Sequence, residues 1–148
     1  MITRFAQFTA HISEIYWMIQ KIEREEMERL GLRGSQAQCL VAISRRSEGV
    51  TAAELCTLCE KDKASISRTI ADLVARNLVH RVGGGAYRAA LCLTEEGKKI
   101  AEIVNQKVEL AARRAGEGLS DEDRSVFYAC LNRVSGNLKK ISQEGLPV

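Results

Sequence analysis

The sequence predicts a mainly α-helical fold with one small β-hairpin, and three observations lead to that prediction. Apolar residues recur every three or four positions over long stretches at both ends of the chain, which is the spacing of an amphipathic helix. Several stretches begin with a helix-capping pattern. Between them, two apolar-rich runs at residues 78–82 and 87–93 flank the glycines 83–85, which is typical of a hairpin. The only proline, Pro147, interrupts none of these elements.

The first predicted helix covers residues 3–30 and is followed by Gly31, a helix stop signal. Its apolar residues are spaced alternately three and four apart and form a nearly heptad stripe, consisting of Phe5, Phe8, Ile12, Ile15, Ile19 and Ile22. A helix of roughly 25 residues is about 37 Å long. Because that exceeds what a compact core can cover, we expect part of the stripe to pack on a second subunit.

Three shorter helices follow, each predicted from a capping pattern. Ser35 with Gln38 forms a capping-box pattern before the first of them, and Thr51 with Glu54 forms another before the second. Asp62 caps the third.

Two further helices are predicted after the hairpin, within residues 95–142. Thr94 caps the first, which is broken by the glycines at 116–118, and Ser120 caps the second. Two short helices followed by a hairpin are the layout of a winged helix-turn-helix, so the predicted architecture is a winged core between long terminal helices.

Composition limits the class of protein. The 148 residues are 45% hydrophobic and 28% charged, which is ordinary for one globular domain. No apolar run approaches the roughly 20 residues that cross a bilayer, and the N-terminus lacks a secretory layout, so we expect a cytoplasmic protein without a membrane partner. The five cysteines are expected to be free thiols.

Positive charge is concentrated in the middle of the chain, although the net charge is only +3. Residues 61–88 hold six basic and two acidic residues, whereas residues 95–124 hold eight acidic and six basic ones. A basic middle segment favours a polyanionic partner, double-stranded DNA above all.

The helix capped by Asp62 is the predicted recognition helix, because the second helix of such a pair enters the major groove. Arg68 lies opposite its apolar stripe and is predicted to read a base, while Lys63 and Ser65 are expected to hold phosphates. A charged helix face alone more often indicates a solvated surface; the cap before it and the hairpin after it favour DNA binding. The predicted DNA-contacting residues are Thr51, Lys61, Lys63, Ser65, Ser67, Arg68, Thr69, Arg81, Tyr87 and Arg88.

Three local sequences resemble those of the multiple-antibiotic-resistance regulator (MarR) family. Residues 51–55 read TAAEL, like the start of its scaffold helix; residues 62–73 read DKASISRTIADL, like its recognition helix; residues 91–97 read LCLTEEG, like the step after its wing. The resemblance covers nearly the whole chain. It implies a single MarR-like domain over 1–148, with dimerisation helices at 3–30 and 95–142 and a winged helix-turn-helix DNA-binding core at 35–93.

The resemblance also implies a function. A homodimer would bind an inverted-repeat operator, repress transcription, and be released by a small-molecule effector. One departure concerns the wing, where the family usually carries Asp-x-Arg and this chain has Gly85, Ala86 and Tyr87. Arg88, one residue later, takes over that role only if the wing is one residue shorter, because a one-residue shift in a strand reverses the side chain's face.

The cysteines admit two interpretations. Cys56 and Cys59 are predicted to be small packing residues rather than metal ligands, since a metal would need two more ligands. The alternative is a thiol-based redox-sensing regulator of the same fold, for which Cys39 and Cys130 lie nearest the expected junction of core and dimer helices.

Trp17 lies on a polar face of the first helix and could simply pack on a neighbouring helix. The alternative is an effector pocket for a small aromatic ligand, lined by His11, Tyr16, Trp17 and Cys39. An enzyme is not predicted, because no phosphate loop or catalytic constellation is present in the sequence; no catalytic residues, metal or cofactor are expected. A winged helix used only for protein contacts is the remaining alternative.

Overall fold

The structure, a computed structural model, describes residues 2–83 and 88–146, without the side chain of Ile2. Within these residues the chain forms six α-helices and two β-strands. In chain order they are α1 (Ile2–Arg29), α2 (Gly34–Ser44), α3 (Ala52–Cys59), α4 (Lys63–Ala75), β1 (Val79–Val82), β2 (Ala90–Leu93), α5 (Glu95–Ala115) and α6 (Asp121–Glu144). The predicted fold class, mainly α with a small antiparallel hairpin, is confirmed.

The chain divides into two compact units, residues 1–107 and residues 108–148. The first holds α1 to α4, the hairpin and most of α5; the second holds the end of α5 and all of α6. The prediction of a single domain with dimerisation helices at both ends stays a prediction. None of the helices in the described parts of the chain has both the length and the apolar character needed to span a membrane.

The hydrophobic core of the first unit forms where α2, α3, α4 and the hairpin meet. Its largest fully buried side chains are Leu40, Leu55, Ile66, Ile70, Leu73, Leu91, Val50, Val79 and Cys39. Of the described side chains of α1, that of Met27 alone is buried. The apolar stripe of α1 therefore stays largely outside this core.

The predicted caps of α3 and α4 are confirmed. The Thr51 hydroxyl accepts a hydrogen bond from the backbone N–H of Glu54 at 3.2 Å, and the Glu54 carboxylate accepts one from the N–H of Thr51 at 2.8 Å. The Thr51 hydroxyl also donates to the Glu54 carboxylate at 3.2 Å, and the two bonds donated by Thr51 hold the pKa of the Glu54 carboxyl below its ordinary value. Asp62 accepts from the N–H of Ser65 at 2.7 Å. The start of α3 and the start of α4 are therefore each fixed by local hydrogen bonds.

The start of α2 differs from the prediction. Arg33, not Ser35, is the N-cap residue, and the Gln36 side chain accepts a hydrogen bond from the Arg33 N–H at 2.9 Å. The same oxygen accepts a bond from the Arg76 guanidinium at 3.3 Å. Arginine is not among the preferred N-cap residues, so the capping pattern at Ser35 was chosen instead; the bond from Arg76, which is distant in sequence, could not be predicted from a local pattern.

The hairpin is shorter than predicted. β1 and β2 pair from Val79 opposite Leu93 to Val82 opposite Ala90, so the second strand begins at Ala90 rather than at residue 87. Residues 84–87, which hold the rest of the predicted glycine tip and Tyr87, lie outside the described residues. An isolated bridge joins Val50 to Leu91 through backbone hydrogen bonds of 3.0 and 2.8 Å. It ties the segment before α3 to the hairpin.

Candidate nucleic-acid interface

The helix α4 has one buried and one exposed face. Ile66, Ile70 and Leu73 are at most 2% exposed, and they hold the helix against α2 and α3. Ser67 and Arg68 are exposed. Because α4 is anchored by its apolar face and capped at Asp62, its polar face is presented to solvent in a fixed orientation.

The other predicted contact residues near the start of α4 are placed as follows. Lys61 and Lys63 are exposed and Ser65 is half-buried. Thr69 is only 6% exposed, and its hydroxyl donates to the Ser65 carbonyl at 3.0 Å. Thr69 therefore belongs to the buried half of α4, and we leave it out of the proposed DNA-contacting set.

The remaining predicted contacts lie outside α4. Thr51 is half-buried, and its hydroxyl is engaged in the α3 cap. Arg81 on β1 and Arg88 in the turn before β2 are both exposed, while Tyr87 lies outside the described residues. A DNA contact from the hairpin stays a prediction.

A groove runs along α4 beside the start of α2, and it was not predicted from the sequence. It consists of two adjoining cavities of about 390 Å³ and about 350 Å³, which share Arg33 and Asp72. The first is also lined by Ser65 and Arg68, and the second by Arg76. We call this feature the α2–α4 groove. Arg33 was missed because it lies far from the recognition helix in sequence.

The cysteines mainly serve packing in this fold. Cys39 is fully buried, and burial, followed by the proximity of Cys59, raises the pKa of its thiol to about 12. Such a thiol is protonated at neutral pH and therefore a weak nucleophile. Cys56 and Cys59 pack against the core, as predicted, whereas Cys130 is exposed. Across residues 2–83 and 88–146, no group of three or more metal-ligating side chains could hold a metal ion.

The residues of the predicted effector pocket do not lie together within a single chain. His11, Tyr16 and Trp17 are exposed on α1, with the Lys21 ammonium 5.6 Å from the centre of the Trp17 ring. Cys39 lies in the core without solvent exposure. The effector pocket stays a prediction.

Comparisons with known proteins agree with this architecture. Residues 30–86, which run from the end of α1 into the hairpin segment, match the model of the MarR family. The sequence has no significant match among curated proteins.

Several solved structures share the fold. MarR from Staphylococcus aureus in complex with salicylate and kanamycin has a TM-score of 0.77 at 20% identity, covering 90% of this chain and 91% of that one. A MarR-family transcriptional regulator from Listeria monocytogenes in complex with a 26mer DNA has 0.73 at 20%, covering 95% and 96%. MepR, the transcription regulator of the S. aureus multidrug efflux pump MepA, has 0.73 at 17%, covering 88% and 98%.

These structures are transcription regulators rather than enzymes. The resemblance to the MarR family is thus confirmed, because residues 30–86 match the family model and the chain has the fold of MarR-family transcriptional regulators.

Proposed function

We propose that this chain is a sequence-specific DNA-binding transcriptional regulator that acts as a homodimer on an inverted-repeat operator. The observation that carries the proposal is the exposed face of α4, with Lys63, Ser67 and Arg68, opposite a face buried in a winged core. The major groove admits one α-helix. A helix anchored in this way can present the same side chains to each half-site.

The polar side chains around α4 have different proposed roles. Arg68 is the base-reading residue, since a guanidinium can donate two hydrogen bonds to guanine O6 and N7. Lys61, Lys63 and Ser65 hold phosphates, which fix the register of the protein on DNA without reading sequence. Arg81 and Arg88 contact the DNA from the hairpin.

The homodimer is supported by apolar side chains that the chain leaves exposed. Helices α1 and α6 carry most of them. On α1 they include Phe5, Ile15, Trp17, Ile19 and Ile22, and on α6 they include Val126, Phe127, Tyr128 and Leu138. Large exposed apolar surfaces mark interaction sites. We therefore place the dimer interface on these two helices.

We further propose that the dimer represses transcription in the cytoplasm by occupying a promoter, and that a small aromatic effector releases it. Two similar structures support this proposal. The L. monocytogenes regulator was solved with DNA, and the S. aureus MarR was solved with salicylate.

A fluorescence-anisotropy titration tests the proposal. The protein is titrated against DNA from upstream of its own gene and against an unrelated duplex, at about 50 and 200 mM salt. We expect tighter binding to the upstream DNA, and an affinity that falls by about 10³-fold or more between the two salt concentrations if six or more phosphates are contacted. Equal affinity for both duplexes would contradict sequence-specific recognition of the upstream DNA. Absence of binding at low salt would contradict DNA binding and favour the protein-contact alternative.

A further inference from the structure

The α2–α4 groove is strongly basic. Arg33, Arg68 and Arg76 line it together with a single carboxylate, that of Asp72. The groove therefore keeps an excess of positive charge, which fits an anionic partner. Because Arg68 also lies on the exposed face of α4, the groove continues directly from the proposed DNA-reading surface.

The backbone at Arg33 is held in place by two neighbours. Its N–H donates to the Gln36 side chain at 2.9 Å, and Gln36 is itself only 6% exposed. Leu32, just before it, is 3% exposed, and its N–H donates to the Met27 carbonyl at 2.8 Å.

Arg76, at the C-terminal end of α4, fixes the loop between α1 and α2, residues 30–33. Its guanidinium donates to the Gly31 carbonyl at 2.7 Å and to the Gln36 side chain at 3.3 Å. The position of the loop relative to the recognition helix is thereby set, while the Arg33 side chain stays exposed. Because the backbone at Arg33 is already ordered, contact with an anion requires ordering of the Arg33 side chain alone.

We propose that the α2–α4 groove binds a phosphate of the DNA backbone through Arg33, so that backbone contacts extend from α4 onto the loop before α2. This inference rests on the proposed function. A phosphate contact adds affinity without sequence preference, so Arg33 complements Arg68, which reads a base. In a homodimer the contact occurs twice.

The test uses the full-length protein and three variants. Arg33→Ala removes the contact, Arg33→Lys keeps the charge, and Arg45→Ala removes one exposed arginine from the opposite end of α2 as a matched control. Each is titrated by anisotropy against the upstream duplex and an unrelated duplex between about 50 and 200 mM salt. Thermal unfolding is measured in parallel.

We expect Arg33→Ala to weaken binding to both duplexes by the same factor. The slope of log affinity against log salt should become shallower by about 1.8, because the dimer loses two phosphate contacts at about 0.9 each. Arg33→Lys should keep the wild-type slope, since a phosphate contact needs the charge rather than the guanidinium shape. Arg45→Ala should also keep the wild-type slope.

Three results would overturn the inference. These are an unchanged affinity and slope in Arg33→Ala, a loss confined to the upstream duplex, and an equal loss in Arg45→Ala. If Arg33→Ala also lowers the unfolding temperature, the test rests on Arg33→Lys, which keeps the charge. A salt-dependence slope for Arg33→Lys as shallow as that of Arg33→Ala would likewise rule out a charge-based contact. Failure of the proposed function is distinct, since the wild-type protein would then show no salt-dependent binding.

Discussion

Replacement of Gly97 by alanine tests how α5 packs beneath the hairpin. A Cβ at position 97 would lie 2.0 Å from the carbonyl oxygen of Leu78 and 2.9 Å from its carbonyl carbon, and real Cβ contacts essentially never fall below 3.0 Å. The start of α5 and the residue before β1 would therefore have to separate by about 1 Å. The substitution is expected to destabilise the first unit.

The size of the effect follows from how firmly Leu78 is held. Its carbonyl accepts a hydrogen bond from the Thr94 N–H at 3.1 Å, its own N–H donates to the Leu73 carbonyl at 2.9 Å, and its side chain is 3% exposed. Overpacking costs about 1–3 kcal/mol, and loss of the Thr94 bond adds about 0.5–1.5 kcal/mol. We expect the free energy of unfolding to fall by about 2–4 kcal/mol, which lowers Tm by roughly 5–15 °C for a chain of this size.

Thermal unfolding followed by circular dichroism measures the change, with Gly136→Ala as the control. Gly136 lies within α6, where an added Cβ would meet nothing within 4 Å among the described residues. Because alanine favours a helix interior over glycine by about 1 kcal/mol, the control should keep or raise Tm. If Gly97→Ala unfolds within about 1 °C of the wild type, the close packing of α5 on Leu78 is refuted.

Three further predictions concern DNA reading, the dimer and the buried thiol. Arg68→Ala should cost about 1–3 kcal/mol of binding free energy and relax specificity at one base position per half-site; an equal loss on every sequence, measured by anisotropy, would instead assign Arg68 to a phosphate. Ile15→Glu should convert the dimer to monomers in sedimentation analysis, because Ile15 is 45% exposed in the single chain and its replacement costs little there; an unchanged mass would remove this side chain from the interface. Burial raises the pKa of Cys39 from 9.0 to about 12, so the free energy of unfolding gains a contribution that is complete below pH 9.0 and lost as pH rises towards about 12. The free energy of unfolding, measured by urea denaturation across that pH range, should decline less steeply with pH in Cys39→Ala than in the wild type. Identical declines would contradict the effect of burial.

The features that the sequence predicted well depend on residues close together in the chain. The caps at Thr51, Asp62, Thr94 and Ser120 each use a backbone N–H three residues further on. A capping pattern contains both partners, so it can be recognised without knowledge of the fold. The helix boundaries at these caps were predicted for that reason.

The features that were missed depend on partners distant in sequence. The hydrogen bond that joins α2 to the end of α4 needs Arg76, the bridge at Val50 needs Leu91, and the approach at Gly97 involves the backbone of Leu78. Periodicity and capping patterns carry no information about such contacts, because the fold brings these residues together only after the local elements have packed.

The candidate site shows the same division. The apolar spacing of α4 correctly placed Arg68 on the exposed face. Thr69 follows Ile66 by three residues, so helical geometry already places it on the buried side; a DNA contact from Thr69 stays a prediction. Arg33 could not be assigned from sequence, since only the packing of α2 against α4 brings it to the recognition helix.

Selection of bound sequences from a pool of random duplexes tests most directly whether two α4 helices read DNA. No knowledge of the operator is required, and Arg68→Ala is carried through the same selection. We predict enrichment of an inverted repeat with half-site centres about 10 base pairs apart, and loss of preference at one position of each half-site in the variant. Enrichment of no sequence, or of a single site without a repeat, would contradict DNA reading by two α4 helices.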